Sequence, residues 1–117
     1  MILIVDDSNF MRDAVNLALS IIEAESVMAT NGQEGLAVFQ SEKIDLIITD
    51  INMPEMDGLT FIKEIRKLNK EVPILVLTTE SEQGIQKEAS EAGANGWIVK
   101  PFKGPDLIKI VKDLLDD

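Results

Sequence analysis

The sequence predicts a single α/β domain built on a five-stranded parallel sheet with helices on both faces. Short apolar runs alternate with helical stretches along the chain, and polar residues follow the runs at the same end. Parallel neighbours need right-handed helical crossovers, which place helices on the faces of the sheet. A length of 117 residues suits one domain, so we expect residues 1–117 to form one unit.

Five apolar runs are the expected strands. Four lack alternating polar residues, which is typical of strands that are covered on both faces. The remaining run is weaker, and we interpret it as an edge strand. The four covered runs are Ile2–Val5, Leu46–Thr49, Ile74–Leu77 and Trp97–Val99, and the edge strand is Ser26–Ala29.

Capping residues predict where several helices begin and end. The second helix should begin with a variant capping box formed by Asn31 and Glu34. The third should begin at Asp57, and the fourth should run from about 81 to 92 and stop at Gly93. Because the fourth helix has few apolar residues and contains a glycine, we expect it to be weakly anchored.

Apolar residues at three- and four-residue spacing predict which helix faces point inward. The fifth helix also has a proline in its first turn, a position that proline favours. The expected inner faces are Phe10, Met11, Ala14, Val15, Ala18, Ile21 and Ile22 in the first helix, Leu36 and Phe39 in the second, Leu59, Ile62 and Ile65 in the third, Ile85, Ala89 and Ala92 in the fourth, and Leu107, Ile108, Val111, Leu114 and Leu115 in the fifth.

Composition narrows the chemistry. A net charge of −10, with no basic stripe among 11 Lys and Arg residues, disfavours direct binding to nucleic acid. The absence of cysteine and histidine excludes disulfides, thiol nucleophiles and imidazole ligands. No apolar stretch approaches the roughly 20 residues of a membrane helix, and no signal peptide is evident. We therefore expect no membrane insertion and a cytoplasmic location.

Polar side chains finish four of the expected strands. Carboxyl ends of parallel strands meet at one sheet edge, where ligands collect beside a topological switch point. Each residue alone could be a cap, a turn residue or a solvated charge. Three carboxylates within about 4 Å, however, repel by roughly 4 kcal/mol per pair, so the cluster needs a cation or must bind a proton. An oxygen-only set suits Mg²⁺, with Mn²⁺ as an alternative. The residues are Asp6 and Asp7 after the first strand, Asp50 after the third, Thr78 after the fourth and Lys100 after the fifth.

The chain resembles the receiver domains of two-component response regulators, and most closely the single-domain chemotaxis regulators of that family. The stretches that carry the resemblance are IVDDSNFMR at 4–12, IITDINMPEMDG at 47–58, LTTES at 77–81 and AGANGWIVKPF at 92–102. The resemblance covers essentially the whole chain. It implies a doubly wound, flavodoxin-like (βα)5 fold with strand order 2-1-3-4-5 and a cis bond between Lys100 and Pro101.

The resemblance also implies a role for each polar residue. Asp50 would be the nucleophile that accepts a phosphoryl group from the phosphohistidine of a sensor histidine kinase. Lys100 would pair with the phosphoryl oxygens, and the Thr78 hydroxyl would donate a hydrogen bond to one of them. The Mg²⁺ ligands would be Asp7 and Asp50 through side chains, Asn52 through its backbone carbonyl, and Asp6 mainly through ordered water.

Other residues would tune the phosphoryl group and transmit its presence. Asn52 and Glu80 stand where family members modulate hydrolysis. Trp97, the only tryptophan, replaces the switch tyrosine common in similar chemotaxis regulators. It precedes Lys100 by three residues, and we expect it to belong to the same sheet edge as Thr78. We hypothesise that Thr78 moves toward the phosphoryl group and that Trp97 then rotates inward.

The resemblance implies a phosphoacceptor switch, not an enzyme, that assists its own phosphorylation and dephosphorylation. We expect no effector domain after the fifth helix, and therefore a diffusible regulator of chemotaxis or motility that binds a target such as a flagellar motor switch component. A phosphorelay intermediate, which passes the group to a histidine phosphotransfer protein, is the alternative. A flavin-binding or hydrolase domain is disfavoured, because Asp6-Asp7-Ser8-Asn9 is neither a hydroxyl-rich phosphate loop nor an Asp-x-Asp pair with threonine.

Overall fold

The computed structural model describes residues 1–53, 55–79 and 83–115. Within these ranges, five strands and five helices alternate, as the sequence predicts. The strands are β1 (Ile2–Val5), β2 (Ser26–Ala29), β3 (Leu46–Asp50), β4 (Ile74–Thr78) and β5 (Gly96–Val99). The helices are α1 (Asn9–Ser20), α2 (Gly32–Ser41), α3 (Gly58–Leu68), α4 (Gln83–Ala92) and α5 (Gly104–Leu115).

The strands form one parallel sheet in the order β2-β1-β3-β4-β5, so the strand order that the resemblance implies is confirmed. The chain moves from β1 to β2 on one side and then returns to β3 on the other side. The switch point therefore lies between the carboxyl ends of β1 and β3. In the neighbouring strands Asp50 is opposite Leu77 and Thr78 is opposite Val99, which brings the strand ends to a common edge.

The two faces of the sheet carry separate hydrophobic clusters. Helices α2, α3 and α4 cover one face, and α1 and α5 cover the other. The largest fully buried side chain is Phe61 in α3. The predicted stripe of α3 omits Phe61, although this residue directly precedes Ile62, because three-residue spacing describes a narrower face than the one that α3 buries.

Side chains cap the second and third helices where the sequence predicts. Asn31 Oδ1 accepts a hydrogen bond from the Glu34 N–H at 2.8 Å. The Glu34 carboxylate reaches back to the N–H and hydroxyl of Thr30, one residue before the expected partner. Asp57 Oδ1 accepts from the Thr60 N–H at 2.8 Å at the start of α3. The expected start of the fourth helix at 81 lies outside the described residues.

Parts of the predicted inner faces of α1 and α5 were wrong. Phe10 and Ile21 are 79% and 72% exposed, while Leu19, which the prediction omits, is fully buried. The reason is that α1 packs through one face onto β1, β2 and α5, and its apolar stripe is wider than this contact. In α5, Leu115 is 42% exposed, and Ile110 packs against the core cluster.

The prediction that β5 is covered on both faces was only partly right, because Trp97 and Ile98 pack against the two hydrophobic clusters but stay partly exposed. It is the second edge strand of the sheet, and all four of its residues are partly exposed. An edge strand has a neighbour on one side only, and α4, which precedes β5 in the chain, buries few side chains. No helix in the described ranges is long and apolar enough to cross a membrane.

We expect Phe61→Ala to lower the free energy of unfolding by about 3–5 kcal/mol, because it leaves a cavity between α3 and the sheet. Phe10→Ala is the matched control, and its effect should stay within about 0.5 kcal/mol because that ring is mostly exposed. Urea denaturation monitored by far-UV circular dichroism measures both. Equal losses in the two variants would contradict the assignment of the core.

Candidate metal centre

Three carboxylates meet at the carboxyl ends of β1 and β3. Asp6 and Asp7 directly follow β1, and Asp50 is the last residue of β3. One oxygen from each of the three lies within 4.8 Å of the others, and Asp6 and Asp50 are buried whereas Asp7 is exposed. The structure thus brings together residues that are more than 40 positions apart in the sequence, because β1 and β3 are neighbours in the sheet.

The ammonium group of Lys100 lies between two of these carboxylates. Its Nζ is 3.1 Å from Asp6 Oδ2 and 3.3 Å from Asp50 Oδ2, and the Lys100 side chain is only 9% exposed. The Lys100 backbone N–H donates to the Thr78 carbonyl at 2.7 Å, which ties the end of β5 to β4. One ammonium does not balance three carboxylates, so the cluster still favours a further cation.

Burial raises the pKa of the Asp50 carboxyl above its usual value. Lys100 opposes this effect on the Asp50 pKa, and the nearby Asp6 adds to it. The Ile51 N–H donates to Asp50 Oδ1 at 2.8 Å, which stabilises the anion and also lowers the pKa. Desolvation has the largest effect on this pKa, and a divalent cation beside Asp50 would oppose it by favouring the ionised carboxylate. Cation binding and proton release at Asp50 are therefore coupled.

The turn between β1 and α1 is organised by Asp6 and Ser8. Asp6 Oδ1 accepts from the Ser8 N–H at 2.9 Å, and Ser8 Oγ accepts from the Met11 N–H at 3.2 Å. Ser8 is therefore the N-cap of α1. The reading of Asp6 or Asp7 as this cap is wrong, and both carboxylates belong to the acidic cluster.

Gly58 permits a close approach that the sequence analysis did not identify. A Cβ at this position would lie 2.1 Å from the Asp50 carbonyl oxygen and 2.6 Å from the Ile51 Cα. The Gly58 N–H donates to the Ile51 carbonyl at 2.7 Å. The start of α3 therefore packs directly on the segment that carries Asp50. The available signal is the Asp-Gly pair seven and eight residues after Asp50, which predicts a helix start and the end of a tight loop but not this contact.

Thr78 and Trp97 lie on the same face of the sheet, but only Thr78 lies at the edge formed by the carboxyl ends of the strands. Thr78 ends β4 and is fully buried, whereas Trp97 is opposite Val76, two residue pairs further from the acidic edge. The expectation that Trp97 belongs to the same edge as Thr78 was therefore wrong. Side chains alternate between faces along a strand, so Thr78 lies on the face of Val76, against which Trp97 packs.

The remaining predicted residues are less deeply placed or lie elsewhere. Asn52 is exposed two residues after Asp50. Glu80 lies outside the described residues, so the structure adds nothing about its suggested role. The bond between Lys100 and Pro101 is cis, as the resemblance implies.

The acidic cluster is compatible with Mg²⁺ binding. It offers oxygen donors only, which suit a hard cation. Octahedral Mg²⁺ binds oxygens at about 2.1 Å, so its ligand atoms are separated by roughly 3 to 4 Å. Oxygens within 4.8 Å of one another need only small side-chain movements to reach that geometry.

The sheet and its acidic edge define a doubly wound, flavodoxin-like domain with an oxygen-rich cluster that is compatible with a bound cation. Residues 2–112 match the family described as response regulator receiver domain. The chain therefore belongs to the response regulator receiver domains. Members of this family are phosphoacceptor switches and not classical enzymes. They typically take a phosphoryl group from a histidine kinase and bind downstream targets.

The relatives include both short and long proteins. The chemotaxis protein CheY of Thermotoga maritima is 41% identical over 112 residues, which cover 92% of this chain and 91% of that protein. "Probable transcriptional regulator ycf27" of Cyanophora paradoxa is 36% identical over 114 residues, or 97% of this chain and 47% of that protein. The chain thus spans about half the length of the ycf27 relatives.

Solved structures show the same likeness. The chemotaxis protein CheY4 of Vibrio cholerae is 40% identical and superimposes with a TM-score of 0.93, covering 97% of both chains. The fold is therefore CheY-like.

We expect Asp50→Asn to stabilise the protein without metal at neutral pH. Asp50 binds its proton more tightly in the folded state, so its contribution to the free energy of unfolding falls as pH rises from 3.8 through the raised pKa. Asparagine does not ionise and lacks this dependence. The stability gain, measured by urea denaturation in EDTA, should therefore grow over this pH range and level off above it. A gain that does not vary with pH would contradict the raised pKa.

Proposed function

We propose that this receiver accepts a phosphoryl group on Asp50 from the phosphohistidine of a partner histidine kinase, in a Mg²⁺-dependent reaction, and then binds a target protein. The observation that carries the proposal is the contact of a buried carboxylate, Asp50, with Lys100 inside a cluster that also holds Asp6 and Asp7. This arrangement supplies a nucleophile and fixed positive charge at one point of the surface.

The chain's own residues account for most of the chemistry. A carboxylate oxygen of Asp50 attacks the phosphorus, a P–O bond forms, and the P–N bond to the donor imidazole breaks. The Ile51 N–H holds Oδ1, so the carboxylate has a defined orientation. Lys100, 3.3 Å from Oδ2, is placed to pair with the transferred oxygens. No general base is needed, because the nucleophile is already an anion.

The acidic cluster would hold the cation that neutralises charge during transfer. We assign Asp7 and Asp50 as side-chain ligands and the Asn52 backbone carbonyl as a third ligand. Both Asp6 oxygens already accept hydrogen bonds, one of them from Lys100, which supports a role for Asp6 through ordered water. Mg²⁺ supplies charge neutralisation and alignment of the phosphoryl oxygens, and Mn²⁺ could replace it.

Phosphorylation would be read out through the face that contains Thr78 and Trp97. The Thr78 hydroxyl would bind a phosphoryl oxygen, and Trp97 would repack at a cleft of about 160 Å³ between α4 and β5. Of the apolar residues in α4, only Ala89 and Ala92 are buried, so its movement costs little. Asn52 and Glu80 would modulate hydrolysis of the acyl phosphate.

We infer that the physiological role is a diffusible, cytoplasmic regulator of chemotaxis or motility whose target is a protein such as a motor switch component. Support comes from the match to chemotaxis proteins over 91% to 97% of their length. The half-length match to ycf27 favours a second candidate, the receiver part of a transcriptional regulator. Phosphorylation-dependent binding to purified motor-switch protein supports the first and its absence supports the second.

Asp50→Asn should abolish phosphorylation by acetyl phosphate in the presence of Mg²⁺, because the amide is not a nucleophile for this reaction. The matched control is Asp45→Asn, an exposed aspartate at the opposite end of the same strand, which should be phosphorylated like the parent. Intact-protein mass spectrometry measures incorporation. Full incorporation in Asp50→Asn would refute the assignment of the nucleophile.

Beryllofluoride with Mg²⁺, which mimics the phosphoryl group, should change the fluorescence emission of Trp97 in the parent. The change is expected because Thr78 and Trp97 share one face of the sheet. Asp50→Asn should show no change, since it lacks the carboxylate that binds beryllium. If the parent emission is also unaffected, Trp97 is not coupled to the site.

A further inference from the structure

We propose that Arg12 is a positioning residue for the acidic site. Its guanidinium group holds the turn between β1 and α1 so that Asp6 and Asp7 face Asp50 in the orientation that binds a divalent cation. The inference rests on the proposed function only in that its readout is cation binding at this site.

Arg12 is the one charged side chain of α1 that is buried, with 8% exposure. Its two terminal nitrogens donate to different acceptors, the backbone carbonyl of Asp6 and the side-chain Oδ1 of Asn9. Among the ion pairs within the described ranges, none involves Arg12. Arg12 therefore acts through a backbone carbonyl and an amide instead of through a carboxylate partner.

Burial of a guanidinium without an ion pair is unfavourable, and an apolar side chain would fill the same space at lower cost. What arginine adds is a rigid fork of donors that can hold two acceptors at once. One of these acceptors belongs to the residue that begins the acidic cluster. We therefore interpret the guanidinium fork of Arg12 as serving the acidic site and not as simple filling of the core.

Asp6 is held at each of its polar groups. Its N–H donates to the Ala29 carbonyl at 3.1 Å, and its two carboxylate oxygens accept from Ser8 and Lys100. Arg12 holds the remaining group, the carbonyl. The carbonyl of Asp6 and the nitrogen of the next residue share one rigid peptide plane, so Arg12 also sets the direction in which Asp7 leaves the strand.

Two effects of Arg12 on a bound cation have opposite signs. The positive guanidinium group repels a divalent cation, so its removal would tighten binding if charge were the main effect. Its hydrogen bonds orient the carboxylates, so its removal would weaken binding if positioning were the main effect. The direction of the change in Mg²⁺ affinity therefore separates the two.

The second arginine of the chain provides a matched control. Arg66 also donates to backbone carbonyls, at 2.8 and 3.1 Å to Gly93 and at 3.2 Å to Asn69. These partners precede β5 and β4, at the sheet edge opposite the acidic cluster. Arg66→Met thus removes a similar set of hydrogen bonds at a distance from the site.

The experiment is a Mg²⁺ titration of the parent, Arg12→Met, Arg12→Lys and Arg66→Met by isothermal calorimetry, with circular dichroism to verify folding. We expect Arg12→Met to raise the Kd for Mg²⁺ by about 10- to 100-fold, as loss of groups that orient metal ligands does. Arg12→Lys, which keeps the charge but not the fork, should fall between this variant and the parent. Arg66→Met should stay within about twofold of the parent.

An Arg12→Met protein that is folded and binds Mg²⁺ as tightly as the parent, or more tightly, overturns the positioning role. If that variant does not fold, Asn9→Ala tests the same idea, because it removes the exposed acceptor that holds one arm of the fork. It should weaken Mg²⁺ binding, and unchanged affinity overturns the proposal. A parent that binds no Mg²⁺ refutes the proposed metal site itself, which is a separate outcome from equal affinity in parent and variants.

Discussion

The repulsion between carboxylates that the fold holds together is the constraint on which this receiver depends. At an effective dielectric constant near 20, two carboxylates about 4 Å apart repel by roughly 4 kcal/mol. The unfolded chain avoids this cost, and the folded chain accepts it because β1 and β3 pack side by side between two hydrophobic clusters. Burial, together with the nearby Asp6, raises the pKa of Asp50, and the ammonium group of Lys100 between Asp6 and Asp50 offsets part of the repulsion. Because a cation relieves this electrostatic repulsion and a phosphoryl group adds negative charge, either one changes the energy of the site strongly.

The molecule separates a rigid site from a surface that can move. The site lies on strands β1, β3 and β4, which are buried along their whole length, and α3 begins in direct backbone contact with the Asp50 segment through Gly58. Helix α3 buries Phe61, Ile62 and Ile65, whereas α4 buries two alanines, and large side chains contribute about 1.5–3 kcal/mol each on burial. Displacement of α4 therefore costs much less than displacement of α3. A change at Asp50 is most easily expressed near α4 and β5.

The fold was predictable because strands, caps and crossovers leave local signals. Unbroken apolar runs located β1, β3 and β4 to within a residue, and Asn31 and Asp57 marked two helix starts. The errors share one cause. The exposure of Phe10 and Ile21, the partial exposure of β5 and the omission of Phe61 depend on which neighbours cover each element. Hydrophobic spacing describes the element itself, not the width of the surface that packs against it.

By itself, the sequence determined the chemistry available to this protein. Without histidine or cysteine, the cluster can offer only oxygen donors to a cation. The alternation of strands and helices predicts a parallel sheet, in which the aspartates that follow the strands lie at one edge. The tertiary structure alone decided how those groups meet: the place of Lys100 between Asp6 and Asp50, the fork of Arg12, the contact at Gly58 and the position of Trp97 opposite Val76. Residue types and local order are written along the chain. Distances and burial between segments far apart in the chain arise only when the strands pair and the helices cover them.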